Sequence, residues 1–327
     1  MFFRAFRSSP ALLPIGMDPF NFTAKIIFMA ETARLGFLGL GIMGYPMAHH
    51  LVKTGNEVSL WSHTGAKAEH LAKEGRGRIC TSPKQVAEQA DIIFYCVGDS
   101  AMSKDVALGK NGLLEGVREG TVIADCSTIS IEVSREIGRS FASKGAYFLD
   151  APCTGSKPGA ENAALTFMIG GEEQAFEKAR PYFEAMGKRL YYCGPSGQGM
   201  QAKLTQNLFL ANIMQAFAEG MVLAAKGGIK PELMLDILEN SAAKSNFVSF
   251  KAPYILKRDF STNFSTKWML KDIRLAMESA KSMDLPLPQT AIAEQMFQAA
   301  IARGWGEEDV CGVIRLLEEW AGVEIRS

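Results

Sequence analysis

Residues 34–64 constrain the fold of this chain more than any other stretch. An apolar run, Leu35, Phe37 and Leu38, leads directly into Gly39-Leu40-Gly41-Ile42-Met43-Gly44. A helix-compatible segment continues to about Lys53, Gly55-Asn56 reads as a turn, and Val58 to Trp61 is a second apolar run. The order is strand, turn, helix, strand, with G-x-G-x-x-G at the first turn. Gly39 permits the tight turn, Gly41 lets the backbone approach a pyrophosphate, and Gly44 lets helix and strand pack closely. A diphosphate would rest on the N–H groups at the helix start, where the helix dipole also favours negative charge. With 31 glycines in the chain a bare match to this pattern is weak, and a purely structural glycine turn is the alternative. Flanked by the right strand and helix, the pattern points to a dinucleotide site that also involves Leu40, Ile42 and Met43.

At 327 residues the chain is long enough for two domains, at roughly 100–200 residues each. Its 47% hydrophobic and 21% charged content describes a globular protein with ample core. Lys+Arg and Asp+Glu balance at 35 each, so neither a nucleic acid nor a membrane surface is an expected partner. Cys80, Cys96, Cys126, Cys153, Cys193 and Cys311 form no C-x-x-C pair and several lie in apolar runs. Buried free thiols in a reducing compartment are expected, rather than a zinc site or disulfides, and no metal site is assigned. No apolar run is expected to reach the ~18 residues that a membrane helix needs. Residues 1–33 read as a disordered or non-native extension. Arg4, Arg7, Ser8 and Ser9 without an acid are mildly like a transit peptide. The expected location is cytoplasmic, or organellar if residues 1–28 are such a leader.

Beyond the first unit, strand-like runs at 91–97, 121–125 and 146–150 alternate with helical segments such as Ile131 to Ser143, closed by Gly145. A further pair of strands, 166–169 and 190–193, brackets a helix over 172–186. The alternation predicts an α/β, Rossmann-type doubly wound sheet over 34–198. After Gly194-Pro195-Ser196-Gly197-Gln198-Gly199 the pattern changes. Met200 to Lys226 is one proline-free helical pattern rich in Ala, Leu and Met, long enough to span ~40 Å. Gly227-Gly228 stops it, and further helices follow. An all-α domain over 199–327, opening on a long interdomain helix, is therefore expected to complete the substrate site.

Four places carry residues suited to chemistry. Lys203 and Asn207 are four apart, so they share one face of the long helix. An ammonium at an interdomain seam can protonate a developing alkoxide, and an amide one turn away can orient the lysine or the substrate. Taken alone, such a pair is more often solvated. Asp150-Ala151-Pro152-Cys153-Thr154-Gly155-Ser156 follows a strand. Its Thr154 hydroxyl and the Gly155 and Ser156 N–H groups could hold a carboxylate, or the segment is an ordinary glycine loop. Asp125-Cys126-Ser127-Thr128 places hydroxyls at another strand end. Lys271-Asp272 follows Phe264 and Trp268, and by itself would be a surface pair.

Taken together, these motifs from Leu35 to about Gly322 resemble the β-hydroxyacid dehydrogenases. The resemblance rests on Phe37-Leu38-Gly39-Leu40-Gly41-Ile42-Met43-Gly44-Tyr45-Pro46-Met47-Ala48, on Asp150-Ala151-Pro152 through Gly155, on Gly197-x-Gly199-x-x-x-Lys203-x-x-x-Asn207, and on Phe264 with Lys271-Asp272. It implies Lys203 as general acid with Asn207 supporting it, and a substrate carboxylate held at Thr154, Gly155 and Ser156. It implies further that Phe264 and Asp272 close the site, and that Val97, Gly98, Thr128 and Lys271 meet the cofactor. The chain departs from the family pattern at Thr154-Gly155-Ser156, usually Ser-Gly-Gly, at His50, usually Asn, and at Gln206, usually the first of two Asn.

An NAD-preferring site would carry an acid after the second strand, to bind the ribose hydroxyls. Here Ser62-His63-Thr64 stands there, with no acid before Glu69. That favours NADP(H), with NAD(H) the alternative. The expected activity is reduction of a short semialdehyde or oxo acid, or the reverse oxidation of a hydroxy acid. The small carboxylate-bearing substrate would be bound by a homodimer or homotetramer. The competing expectations are an imine reductase-like enzyme, against which Lys203 weighs, and a non-catalytic NADP-binding scaffold.

Overall fold

Short, mostly apolar runs become the central strands because helices cover both of their faces. The computed structural model describes residues 33–327, so residues 1–32 of the expected extension lie outside the described residues. The first half runs β1 (Leu35–Leu38), α1 (Gly44–Lys53), β2 (Val58–Trp61), α2 (Gly65–Ala72), β3 (Gly77–Ile79), α3 (Pro83–Gln89), β4 (Ile92–Tyr95), α4 (Ser100–Leu108), β5 (Val122–Asp125), α5 (Ile131–Ala142) and β6 (Tyr147–Asp150). These six strands lie in the order β3-β2-β1-β4-β5-β6, all parallel. Every residue of β1, β4 and β5 is buried. The order reverses at β1, which opens a crevice beyond the carboxyl ends of β1 and β4.

The sheet continues with β7 (Cys153–Thr154), α6 (Ser156–Glu161), β8 (Leu165–Gly170), α7 (Glu173–Met186) and β9 (Gly187–Gly194). Here the direction changes: β8 runs antiparallel to β6 and β7, and β9 is parallel to β8. The doubly wound expectation therefore holds with an antiparallel step at one edge. Sequence reasoning missed β3, whose three residues, Gly77, the exposed Arg78 and the exposed Ile79, hold only one apolar side chain.

The second half is helical: α8 (Gln198–Lys226), α9 (Pro231–Glu239), α10 (Asn246–Leu256), α11 (Thr266–Lys281), α12 (Pro288–Ala302) and α13 (Ile314–Ala321). Asp150, at the end of β6, anchors the start of α8. Its Oδ1 accepts the Gly197 N–H and its Oδ2 the Met200 N–H, both at 2.7 Å. The helix enters so close to the sheet that a Cβ on Gly199 would stand 2.5 Å from the carbonyl oxygens of Asp150 and Met168.

Met200 and Leu204 of α8 pack into a core shared with the sheet, while Ala211, Met214, Ala218 and Met221 belong to the helical core. One buried stripe thus serves two cores in succession, and Lys203 and Asn207 lie on it at the crossover. This double service corrects the expectation that no run is long and apolar enough for a membrane helix. By length and composition alone α8 is such a helix, yet 44% of its most apolar window is buried inside the protein. All six cysteines are free thiols, three buried and three partly so.

Candidate active site

At the crevice, the backbone itself shapes the floor. Gly39 adopts φ +86°, and a Cβ there would stand 2.2 Å from the Cys96 carbonyl oxygen. Gly44 opens α1 against the same turn, where a Cβ would fall 1.8 Å from the Gly39 oxygen. Gly41, by contrast, faces open space. Two glycines close the turn and one leaves the surface above it bare, which fits a pyrophosphate on the first turn of α1. Leu40 is buried beneath this turn, Met43 is half-buried, and Ile42 is exposed on it.

On the far side of β1, Ser62, His63 and Thr64 lead from β2 into α2. The His63 ring stands edge-on to Trp61 at 4.7 Å, and Thr64 occupies the position just before the helix. His63 and Thr64 are exposed, and the turn contains no carboxylate.

On the near side, β4 and β5 end in loops tied together by a buried aspartate. Asp125 accepts hydrogen bonds from the Ser103 hydroxyl at 2.6 Å and the Ser127 N–H at 2.8 Å, and the Ser127 hydroxyl accepts the Val97 N–H at 2.9 Å. Burial raises the Asp125 carboxyl above its ordinary pKa, with these donors opposing the rise.

Lys271, on α11, bridges both loops. Its ammonium donates to the Gly98 carbonyl at 3.0 Å and to the Thr128 carbonyl. Trp268 covers Gly98 so closely that a Cβ there would lie 2.9 Å from the indole. The helical domain therefore presses one aromatic and one cation onto the loops that flank the crevice.

Lys203 is 7% exposed. Burial drives its pKa below the usual lysine value, and Lys271 adds to the lowering, while Asp272 and Cys153 favour the charged form. Cys153 immediately precedes Thr154, so the ammonium lies beside the substrate loop predicted from sequence. Burial pushes the Cys153 thiol up to about 11, an effect that the Lys203 charge partly offsets. The loop hangs from the sheet by the pairing of Cys153 with Phe167 and Thr154 with Thr166, and turns into α6 through Gly155 and Ser156, both at positive φ.

Asn207 makes no direct bond to Lys203, contrary to the simplest form of the expected support. Its Nδ2 donates to Asp272 Oδ2 at 2.6 Å. Gln206, absent from the predicted site, accepts from Lys203 Nζ at 3.2 Å. Asp272 Oδ1 stands 3.2 Å from Lys271 Nζ, close enough for charge attraction but not aligned as a hydrogen bond. Asn207 Oδ1 is buried and has no partner among the described residues. Two sets of contacts thus meet the seam: Lys203 with Gln206 on α8, and Asn207 through Asp272 and Lys271 to the loops of β4 and β5.

Phe264 is held differently. Asp309 accepts the N–H groups of Asn263 and Phe264 and both oxygens take Lys251 Nζ at 2.7 Å, a pair almost wholly buried. This pair sets the turn that carries Phe264, whose ring packs against the helical core. Asp309 and Lys251 lay outside the sequence prediction. A lysine on the buried stripe of α10 is the signal that could have revealed them.

Comparison with known proteins agrees with this geometry. Residues 34–194 match the NAD binding domain of 6-phosphogluconate dehydrogenase, and residues 197–317 match the NAD-binding domain of NADP-dependent 3-hydroxyisobutyrate dehydrogenase. The chain is 36% identical over 287 residues to glyoxylate/succinic semialdehyde reductase 2, chloroplastic, of Arabidopsis thaliana, covering 88% of this chain and 80% of that protein. The chain belongs to the β-hydroxyacid dehydrogenases. Another relative in this family is the 2-(hydroxymethyl)glutarate dehydrogenase of Eubacterium barkeri, 36% identical over 298 residues, with 91% of this chain and 99% of that one covered. Among solved structures, 3-hydroxyisobutyrate dehydrogenase from Mycobacterium tuberculosis with L-serine superposes at a TM-score of 0.81, with 30% identity and coverage of 88% and 99%. As a β-hydroxyacid dehydrogenase, this chain is an NAD(P)-dependent oxidoreductase acting on hydroxyl groups of hydroxy acids. A nicotinamide dinucleotide fits the crevice, because the bare surface at Gly41 and the loops at Val97, Gly98 and Thr128 flank the reversal point of the sheet.

Proposed function

We propose that this β-hydroxyacid dehydrogenase reduces short carboxylates bearing an aldehyde or ketone, prefers NADPH, and uses Lys203 as general acid. The observation that carries the proposal is the buried ammonium of Lys203, set between the Cys153-Thr154 loop and the Asn207–Asp272–Lys271 chain. Bound nicotinamide supplies or accepts the hydride. Lys203 Nζ donates a proton to the carbonyl oxygen as charge develops there, and recovers it in the oxidative direction. Asp272 keeps a negative charge near that lysine, which offsets part of its desolvation.

The Thr154 hydroxyl and the N–H groups of Gly155 and Ser156 take the substrate carboxylate. Asn207 Oδ1 accepts a substrate hydroxyl, which would recover the roughly 1–3 kcal/mol that a buried unpaired carbonyl costs. Phe264, on its Asp309-anchored turn, closes the apolar side. Glyoxylate, succinic semialdehyde, tartronate semialdehyde and methylmalonate semialdehyde have the required size and charge.

The preference for NADPH rests on the turn at Ser62, His63 and Thr64. A carboxylate there would repel a 2′-phosphate, and none is present. The match of residues 197–317 to an NADP-dependent enzyme supports the same preference.

The surface of α8 supports an assembly of several copies. Phe209 (61% exposed) and Leu223 (76%) flank the exposed small residues Ala216 and Gly220, and α9 buries none of its residues within the chain while exposing Leu233 and Ile237. Small residues between larger apolar ones let a second helix approach closely, so the occupant is a second copy of this chain, in a homodimer or homotetramer.

The reading is tested by following nicotinamide oxidation against a panel of short semialdehydes and 2-oxo acids, with NADPH and then NADH. Turnover of at least one semialdehyde, faster with NADPH, is expected. NADPH binding without turnover across the panel would favour a non-catalytic scaffold instead.

A further inference from the structure

Among the described residues, Gln206 is the one side chain that hydrogen-bonds the Lys203 ammonium. The two are three apart on α8, a spacing that brings side chains into contact on one helix face. Chemistry decides which end of the amide faces the lysine. An ammonium offers only donors, so the oxygen must turn toward it, and Nε2 points away with no protein acceptor among the described residues. Gln206 is partly exposed and Lys203 is not, which places the amide on the solvent side of the lysine. The neighbouring amide makes no bond to this ammonium: Asn207 gives its Nδ2 to Asp272, and its Oδ1 has no partner among the described residues.

We propose that Gln206 is a positioning residue: its Oε1 holds Lys203 Nζ in one orientation and sets how firmly the lysine keeps its proton. The inference rests on the reading of Lys203 as the proton donor. A lysine stem has four rotatable bonds, and a single acceptor at the tip removes most of that freedom. The other groups facing the ammonium are Asp272 and Lys271 from α11 and Cys153 from β7, so one anion, one cation and one thiol already surround it. A neutral acceptor fixes direction without adding a second negative charge. A carboxylate in its place would hold the proton too tightly for ready transfer, and an aliphatic side chain would leave the ammonium turning and less favoured.

The test uses the full chain and compares Gln206→Leu, Gln206→Glu and Gln206→Asn with the parent. Two quantities are followed against pH: kcat for reduction, and the rate at which Lys203 is acetylated by acetic anhydride, read by mass spectrometry. Gln206→Leu should lower kcat about tenfold while changing the substrate KM less than about twofold. It should also move the alkaline limb and the acetylation midpoint down by about one pH unit. Gln206→Glu should move both up by a similar amount, and Gln206→Asn should restore most of the turnover lost in the leucine variant. If the limb and the midpoint stay at the parent values in cooperatively folded Gln206→Leu and Gln206→Glu, the proposal is overturned. Retention of turnover by Lys203→Met would instead remove the reading of Lys203 itself, so the two failures are distinguishable.

Discussion

At Lys203 two pressures oppose each other: burial disfavours its charge and Asp272 favours it, with burial the larger. The folded-state pKa is therefore depressed. With Lys203 as the proposed general acid, kcat for reduction is predicted to fall as pH rises through a value below the usual lysine range, and kcat for oxidation to rise through the same value. His63 carries a separate prediction. Replacing it with Asp places a carboxylate where a 2′-phosphate would sit, and kcat/KM for NADPH relative to NADH should fall about tenfold or more; an unchanged ratio would sink the cofactor argument. In the sequence, Lys203, Asn207 and Asp272 stand out as candidates only as members of ordered motifs, since each alone looks like an ordinary helix residue. Gln206 was legible only as a departure from the family pattern, and Asp309 only indirectly, through Lys251 on the buried stripe of α10, because its partner lies distant in sequence.

Among the elements, β1 and β2 were readable from their apolar runs and α1 approximately, because the runs and glycines coincide with the strand ends and the tight turn. The short edge strand β3 and the two-residue β7 were not, since pairing with neighbours rather than their own composition makes them strands. Asp150 shows an element held by one side chain. Burial pushes its pKa up to about 6, with the Gly197 and Met200 N–H groups opposing that rise. The folded protein then keeps a proton that the unfolded chain releases between roughly pH 4 and 6. Asp150 therefore contributes most stability below that window, and the contribution is lost as pH rises through about 6, the reverse of an ion-paired carboxylate. Asparagine does not titrate. The stability of the parent minus that of Asp150→Asn, from urea unfolding, should fall by about 2 kcal/mol between pH 4 and pH 7. A difference that does not vary with pH would show that Asp150 titrates normally.

For the molecule as a whole, α8 is the organising member. It begins on the sheet under Asp150, carries Lys203 and Asn207 through the seam, and ends in the helical core. Its remaining face, from Phe209 to Leu223, is proposed to meet a second copy. Leu223→Glu combined with Gly220→Lys should convert the assembly toward monomer in sedimentation velocity, and an unaltered sedimentation coefficient would refute that face as the interface. The two-part organisation was visible as a change of periodicity near residue 198, whereas the antiparallel step at β8 was not, because strand direction leaves no mark in a short apolar run. The central claim is that Lys203 moves the proton, and the most direct measurement is kcat for semialdehyde reduction by Lys203→Met alongside NADPH affinity by fluorescence titration. A fall in kcat of about a thousandfold or more with NADPH affinity within about threefold of the parent is predicted; turnover near the parent rate would contradict it.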